Sequence, residues 1–193
     1  MKIKIDFNEL IGHSTLLYGD TNTSKTLCTA EFVKFLLEMC SMPPSGITIL
    51  DFAPKSMNFN NLKIGGRIND FYNKSASCRN ISLRGEIIPP RLSSNNKSEL
   101  YQNACKNFKK TSEILNKYLE EPTSILIIND ISIYLHIGGI KHLLEAINQS
   151  NTFFGNSYYG TSIKRDYSTR FSIREKRKVK SLIKKVDKSY FSG

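Results

Sequence analysis

Four short apolar runs, STLLY (14–18), GITILDF (46–52), TSILIIND (123–130) and TFF (152–154), are kept apart by three long intervening segments, each of which contains a helix-patterned stretch. Antiparallel strands can be joined by a two-residue turn, whereas parallel strands need a crossover of a dozen or more residues. The spacing therefore predicts a mainly parallel sheet covered by helices on both faces, a three-layer α/β sandwich. Residues 24–40 carry Leu27, Ala30, Phe32, Val33, Phe35, Leu36, Leu37 and Met39, apolar nearly all round, which predicts a deeply buried helix ended by Pro43 and Pro44. Between Glu99 and Glu121, Leu100, Ala104, Phe108, Thr111, Leu115 and Leu119 recur at three- and four-residue steps, predicting a second helix stopped by Pro122. GGIKHLLEAINQS predicts a shorter third helix, and the alternation of Ile3, Ile5 and Phe7 predicts an opening edge strand. In open parallel sheets ligands bind beyond the carboxyl ends of the strands, so the chemistry is sought there.

The 193 residues suit a single domain. Residues 53–97 read as an irregular insertion, with too few apolar side chains for a core of their own. They hold KIGGRIND, where two glycines permit a hinged lid, a short strand in NISLRGEII, and the breaks PP and SSNNKS. No apolar run approaches the ~20 residues of a membrane span, and charges interrupt the first ten residues, so neither membrane nor signal peptide is expected and the expected location is the cytoplasm. Cys28, Cys40, Cys78 and Cys105 form no C-x-x-C pair; Cys28 and Cys105 fall in helical patterns as small core residues. His13, His136 and His142 lack metal-ligand spacing and read as surface or cap residues.

Charge is unevenly spread. Residues 161–193 hold 11 Lys/Arg and 3 Asp/Glu within a chain of net charge +11. Such asymmetry suits a polyanionic partner, nucleic acid included, through residues 161–188. Val179, Leu182, Ile183 and Val186 share one helical face, however, so 172–187 reads as a packed amphipathic helix showing a basic face to water, followed by a possible last strand in KSYF.

The chemistry concentrates in LLYGDTNTSKTLC. Gly19, Asp20, Thr21, Asn22, Thr23, Ser24, Lys25 and Thr26 follow the pattern G-x-x-x-x-G-K-[ST], with Ser24 in place of the second glycine. In such a loop backbone N–H groups turn inward to phosphates, and the following helix, entered at Leu27, adds its N-terminal partial positive charge. Lys25 is the cation for the outer phosphates and Thr26 a magnesium ligand. An ordinary helical φ before the lysine makes serine acceptable at position 24, and Asp20 is tolerable if it points away. The competing reading is a helix end capped by Thr23 or Ser24. The buried strand ILIIND ends in an acid, and Asp130 is the candidate to orient magnesium.

These stretches resemble P-loop NTPases, and within them RecA-like ATPases. FNELIGHSTLLYGDTNTSKT resembles the approach to the nucleotide loop in archaeal members. ILIINDISIYL resembles the magnesium-acid strand, with Asp130 rather than Asn129 at the acid, ITILDF the strand after the first helix, and TFFGNSYYG the strand ending in a polar sensing residue, here Asn156. The resemblance covers most of residues 7–160. It implies a RecA-like fold with the loop strand inside the sheet, ATP and Mg2+ as cofactors, and nucleotide often bound between subunits of a homo-oligomer. It also exposes departures. The glutamate that polarises water is replaced by Ala53 in one usual position and by Ile131 in the other, leaving Asp51 or Asp130 as the base. A shifted alignment puts Asn129 at the metal and Asp130 at the base.

The sequence thus suggests an ATP-binding protein with weak or partner-dependent Mg-dependent ATPase activity. The alternatives are a RecA paralogue that binds nucleic acid through its basic end, with Tyr158, Tyr159 and Tyr167 stacking bases, a non-hydrolysing nucleotide-bound scaffold, or an ATP-dependent transferase. In that enzyme Arg67, Arg79, Arg84 and Arg91 face anionic groups, although solvated surface positions suit each of them individually.

Overall fold

The computed structural model describes residues 5–59, 62–81, 85–163, 166–167 and 170–193. Its centre is a six-stranded, all-parallel sheet. In chain order the first strand, β1 (Ser14–Gly19), leads through the glycine loop into α1 (Lys25–Glu38), and β2 (Ile47–Asp51) returns to the sheet. A hairpin of β3 (Met57–Phe59) and β4 (Leu62–Ile64) stands apart as an antiparallel pair, followed by α2 (Ile68–Phe71), β5 (Arg79–Asn80) and α3 (Pro90–Ser93). Then come α4 (Lys97–Glu120), β6 (Ile125–Asn129), α5 (Ile131–Leu135), α6 (Ile140–Asn148), β7 (Thr152–Tyr158), α7 (Phe171–Ile183) and β8 (Lys188–Ser192). The sheet order is β5-β2-β6-β7-β1-β8, which puts β1 in the interior and β7 between it and β6.

Strand alternation divides the core. Leu16, Leu50, Leu126, Ile128 and Phe153 face a cluster that includes Leu115 and Tyr118 of α4, Leu143 and Ala146 of α6, and Val179 and Leu182 of α7. Their neighbours Leu17, Ile49, Ile125, Ile127 and Phe154 face Phe32, Val33 and Leu36 of α1 and Ile68 of α2. A strand of period two buried on both faces has no polar side, which is why these runs read as continuously apolar. α4 starts where Asn96 accepts from the Glu99 N–H at 3.0 Å, and it ends before Pro122.

Several expectations are corrected. Residues Phe7–Leu10 form a short 3-10 helix started by Asp6, whose carboxylate accepts from Asn8 N, rather than an edge strand; residues 1–4 lie outside the described residues. NISLRGEII contributes only Asn80 to a two-residue strand, and 82–84 lie outside the description. Cys105 is exposed and Cys28 half-buried, while Cys78 is the buried one. The fourth strand runs to Tyr158, and KSYF forms β8 beside β1. Val179 and Leu182 are buried while Arg174, Arg177, Lys180, Lys184 and Lys185 are exposed, so the terminal helix packs its apolar face as its periodicity requires. Among the described residues no helix is long and apolar enough to cross a membrane.

Candidate functional site

The loop between β1 and α1 lies at the carboxyl end of the sheet. Its glycine is fixed by the neighbouring strand: a Cβ on Gly19 would overlap the Ser192 carbonyl of β8. Thr23 Oγ1 donates to the Asp20 carbonyl at 2.9 Å and lies 2.8 Å from Ser192 Oγ, so β8 also props the far side of the loop. Ser24 has φ 58° and ψ 22°, the left-handed region, which corrects the expectation of a helical φ there. A serine at this position holds about 1–2 kcal/mol of backbone strain that glycine would not. Asn22 also has a positive φ, 57°. Ser24 makes no side-chain cap bond to α1, and Thr23 is engaged elsewhere, so the capped-end reading fails. The first amides of α1 are left without a side-chain cap from Ser24.

Asp20 turns aside. Its carboxylate accepts from the backbone N–H of Thr21 at 2.7 Å, Thr161 at 3.0 Å and Ser162 at 3.2 Å. Burial raises its pKa, but these hydrogen bonds prevail and hold it below the usual value. The acid therefore clasps the segment after β7 onto the loop. Lys25 folds back, its Nζ donating to the Asp20 carbonyl and to Thr23 Oγ1. Burial pushes its pKa down to about 8 against the pull of Asp130 and Asp20.

The strand ends beside the loop carry an amide network. Thr26 Oγ1 donates to Asn129 Oδ1 at 3.3 Å, and Asn156 Nδ2 donates to the same oxygen at 2.7 Å. Asn129 Nδ2 donates to Asp51 Oδ1 at 2.8 Å and to the Gly66 carbonyl at 3.1 Å. Asp51 also accepts from the Ile68 and Ala53 amides at 2.7 and 3.2 Å, yet burial still pushes its pKa up to about 6. Thus Asn129, not Asp130, hydrogen-bonds the Thr26 hydroxyl, the arrangement of the shifted alignment. Asp130 is one residue further on, with φ 56° and ψ 59°; its amide donates to Asn156 Oδ1 at 3.0 Å and its Oδ1 accepts from Ser132 Oγ at 2.6 Å. Burial raises its pKa, opposed by Ser132 and by the charges of Lys25 and His136. Among the described residues no group of three His, Cys, Asp or Glu is arranged to hold a metal. Of the oxygens here, Thr26 Oγ1 and the Asp130 carboxylate line the cavity and are of the type that fits magnesium, whereas Asn129 Oδ1 is buried and already accepts from Thr26 and Asn156.

Lys25, Thr26, Asp130, Ser132 and Asn156 line one cavity of about 280 Å³. Thr21 to Leu27 form one side; Ala53, Asp130, Asn156 and Tyr158 at the strand ends form the floor; Gly65, Phe71, Pro89, Pro90, Arg91 and Ile163 close it from the insertion and the segment after β7. Gly19, Asp20 and Asp51 are adjacent to it through the contacts above.

Two cavity residues escaped the sequence reading of their roles. His136, expected at the surface, is 7 % exposed against Phe171, with ring centroids 4.7 Å apart. Arg91, expected solvated, is 5 % exposed and pairs with Glu175 of α7. Of the other arginines, Arg79 pairs with Glu121 and Arg84 lies outside the described residues. Tyr158 is buried and Tyr159 packs edge-on against Tyr18 at 5.5 Å, while Tyr167 donates to the Ser94 carbonyl, so all three tyrosines are engaged within the fold. No protein-family model matches the sequence, and no curated protein matches it significantly.

Proposed function

We propose that the chain binds a nucleoside triphosphate, with ATP as the expected form, at residues 19–27, together with magnesium, and turns it over slowly. The observation that carries this reading is the uncapped start of α1 with Lys25 and Thr26 opening onto a cavity that also holds a half-buried carboxylate, Asp130. Amides, dipole and ammonium there suit phosphate oxygens. The interior position of β1 and the all-parallel order support the RecA-like resemblance. Magnesium, when bound, would neutralise phosphate charge; Thr26 would hold it, and Asn129 would orient the Thr26 hydroxyl. Asp130 suits the base better than Asp51: it lines the cavity, and burial raises its basicity, whereas Asp51 is occupied by three donors.

Calorimetric titration with Mg-ATP and steady-state phosphate release test the reading together. Lys25→Ala removes binding, while Asp130→Asn retains binding and loses turnover. Unchanged Mg-ATP affinity in Lys25→Ala refutes the site. Turnover that survives Asp130→Asn but not Asp51→Asn reassigns the base.

A second reading has its own observation, the exposed Arg174, Arg177, Lys180, Lys184 and Lys185 on α7 and the turn after it. They suit a polyanion such as nucleic acid, with affinity falling steeply in salt. Binding unaltered by reversing the charges of Lys180, Lys184 and Lys185 counts against it.

A further inference from the structure

The cavity contains a cation that the phosphate loop does not use. Arg91 stands on α3, with its Nη2 2.8 Å from Glu175 Oε2 and its Nη1 donating to Ser172 Oγ at 3.1 Å. Its guanidinium carbon lies 4.9 Å from the centre of the Tyr158 ring, and Tyr158 is the register partner of Gly19, where the loop begins. The arginine therefore lines the same cavity as Lys25 and Thr26, from the insertion side.

Glu175 has a second neighbour placed to pair with it. His136 Nε2 lies 3.5 Å from Glu175 Oε1, and both His136 ring nitrogens are buried without a hydrogen bond among the described residues. Burial raises the Glu175 pKa, while Arg91 and His136 together hold it below the usual carboxylate value. Glu175 thus keeps a partner if Arg91 moves. A purely structural pair tying α3 to α7 is the simpler explanation, but apolar side chains do that as well, and buried ion pairs add little to stability. It also leaves unexplained why both neighbours of Glu175, Arg91 and His136, line the cavity.

We propose that Arg91 is a subsite for the terminal phosphoryl group of the nucleotide, stored on Glu175 while the site is empty and transferred to the phosphate when a triphosphate binds, with His136 remaining as the partner of Glu175. The proposal rests on the nucleotide reading above and deepens it. Discrimination between triphosphate and diphosphate then resides within one chain. A planar guanidinium suits this role because it engages two phosphate oxygens at once.

The test is calorimetric titration of the full chain with Mg-ATP, Mg-ADP and inorganic phosphate. Arg91→Gln combined with Glu175→Gln replaces the ion pair by a neutral amide pair. It weakens Mg-ATP at least tenfold and changes Mg-ADP less than twofold. Glu175→Gln alone frees Arg91 and tightens Mg-ATP several-fold, a gain that a structural role does not produce, so it also decides the matter if the double variant fails to fold. Equal changes for ATP and ADP, or weaker ATP binding in Glu175→Gln, overturn the proposal. If the wild-type chain binds neither nucleotide, the nucleotide reading falls. Inorganic phosphate then separates the two ideas: binding that is lost in the double variant keeps an oxyanion subsite at Arg91, and no binding removes that as well.

Discussion

Replacing Lys25 by methionine should make the empty protein more stable at neutral pH while destroying its response to nucleotide. The ammonium is half-buried, and desolvation pushes its pKa from 10.5 to about 8. At about 1.4 kcal/mol per unit, keeping the group charged at pH 7 costs the fold roughly 3 kcal/mol. Methionine keeps a similar length and removes the charge. Two hydrogen bonds are lost, to the Asp20 carbonyl and Thr23 Oγ1, each worth about 1 kcal/mol, but that carbonyl retains Thr23 Oγ1 as a donor at 2.9 Å. The net gain is about 1 kcal/mol, or roughly 2–4 °C in a chain of this size. The sign has a pH signature. The folded pKa lies below the unfolded one, so between about pH 8 and 10.5 the unfolded chain binds more protons and wild-type stability rises with pH. The advantage of Lys25→Met is therefore full below pH 8 and shrinks as the pH approaches 10. Urea unfolding of both proteins without nucleotide, at pH 7 and pH 10, measures the difference directly and cancels the other titrating groups. With Mg-ATP at about 100 times Kd the wild type gains about 2.7 kcal/mol, and the order reverses. A variant less stable at pH 7, or a difference that does not change with pH, refutes the reasoning.

Ser24→Gly relieves the left-handed backbone and should raise unfolding stability by about 1 kcal/mol; no gain in urea unfolding means that the serine is unstrained. Asn129→Asp sets a carboxylate against Asp51 and should cost roughly 2 kcal/mol or more at pH 7. Because Asp51 already holds its proton up to about pH 6, that deficit should narrow as the pH falls through 6 and the pair shares a proton, and a pH-independent deficit contradicts the mechanism. Asp20→Ala releases the clasp on Thr161 and Ser162, costs about 1–2 kcal/mol, and speeds hydrogen exchange of those two amides, whereas unchanged exchange shows that the clasp does not hold them.

The strands and long helices were legible because each satisfies a local pattern: a doubly buried strand needs an unbroken apolar run, and α4 needs apolar residues every three or four. Where burial depends on distant segments the pattern falls silent. His136 looks like any polar residue after ISIYL, and only Phe171 and Glu175, brought in by α7, make it internal. Arg91 follows two prolines in an irregular stretch, and its burial exists because α7 supplies Glu175. α5 was absorbed into its strand reading because five buried residues, Ile131–Leu135, show no polar face and hence no period. β7 was cut short for the opposite reason. Asn156 and Ser157 are polar, yet both are buried, and Asn156 is bonded to Thr29 and Asn129. In the loop, residue types gave the spacing but not the φ of Ser24, which the geometry of the turn imposes.

The position of Asn129 follows from its neighbour. Asp51 and Asn129 are register partners on adjacent parallel strands, and their side chains meet at 2.8 Å. Two carboxylates so close cannot both ionise in a buried site, so one of the paired strand ends has to be neutral. An amide is the neutral group that can donate to Asp51 while its oxygen receives Thr26 and Asn156. The acid then moves one residue on, to Asp130, where a left-handed backbone carries it to Ser132 and into the cavity with Lys25. On the proposed reading this shift exchanges a charged magnesium partner for a carboxylate that can accept a proton. The one charge at Asp51 thus accounts both for the amide at Asn129 and for the acid one residue later at Asp130.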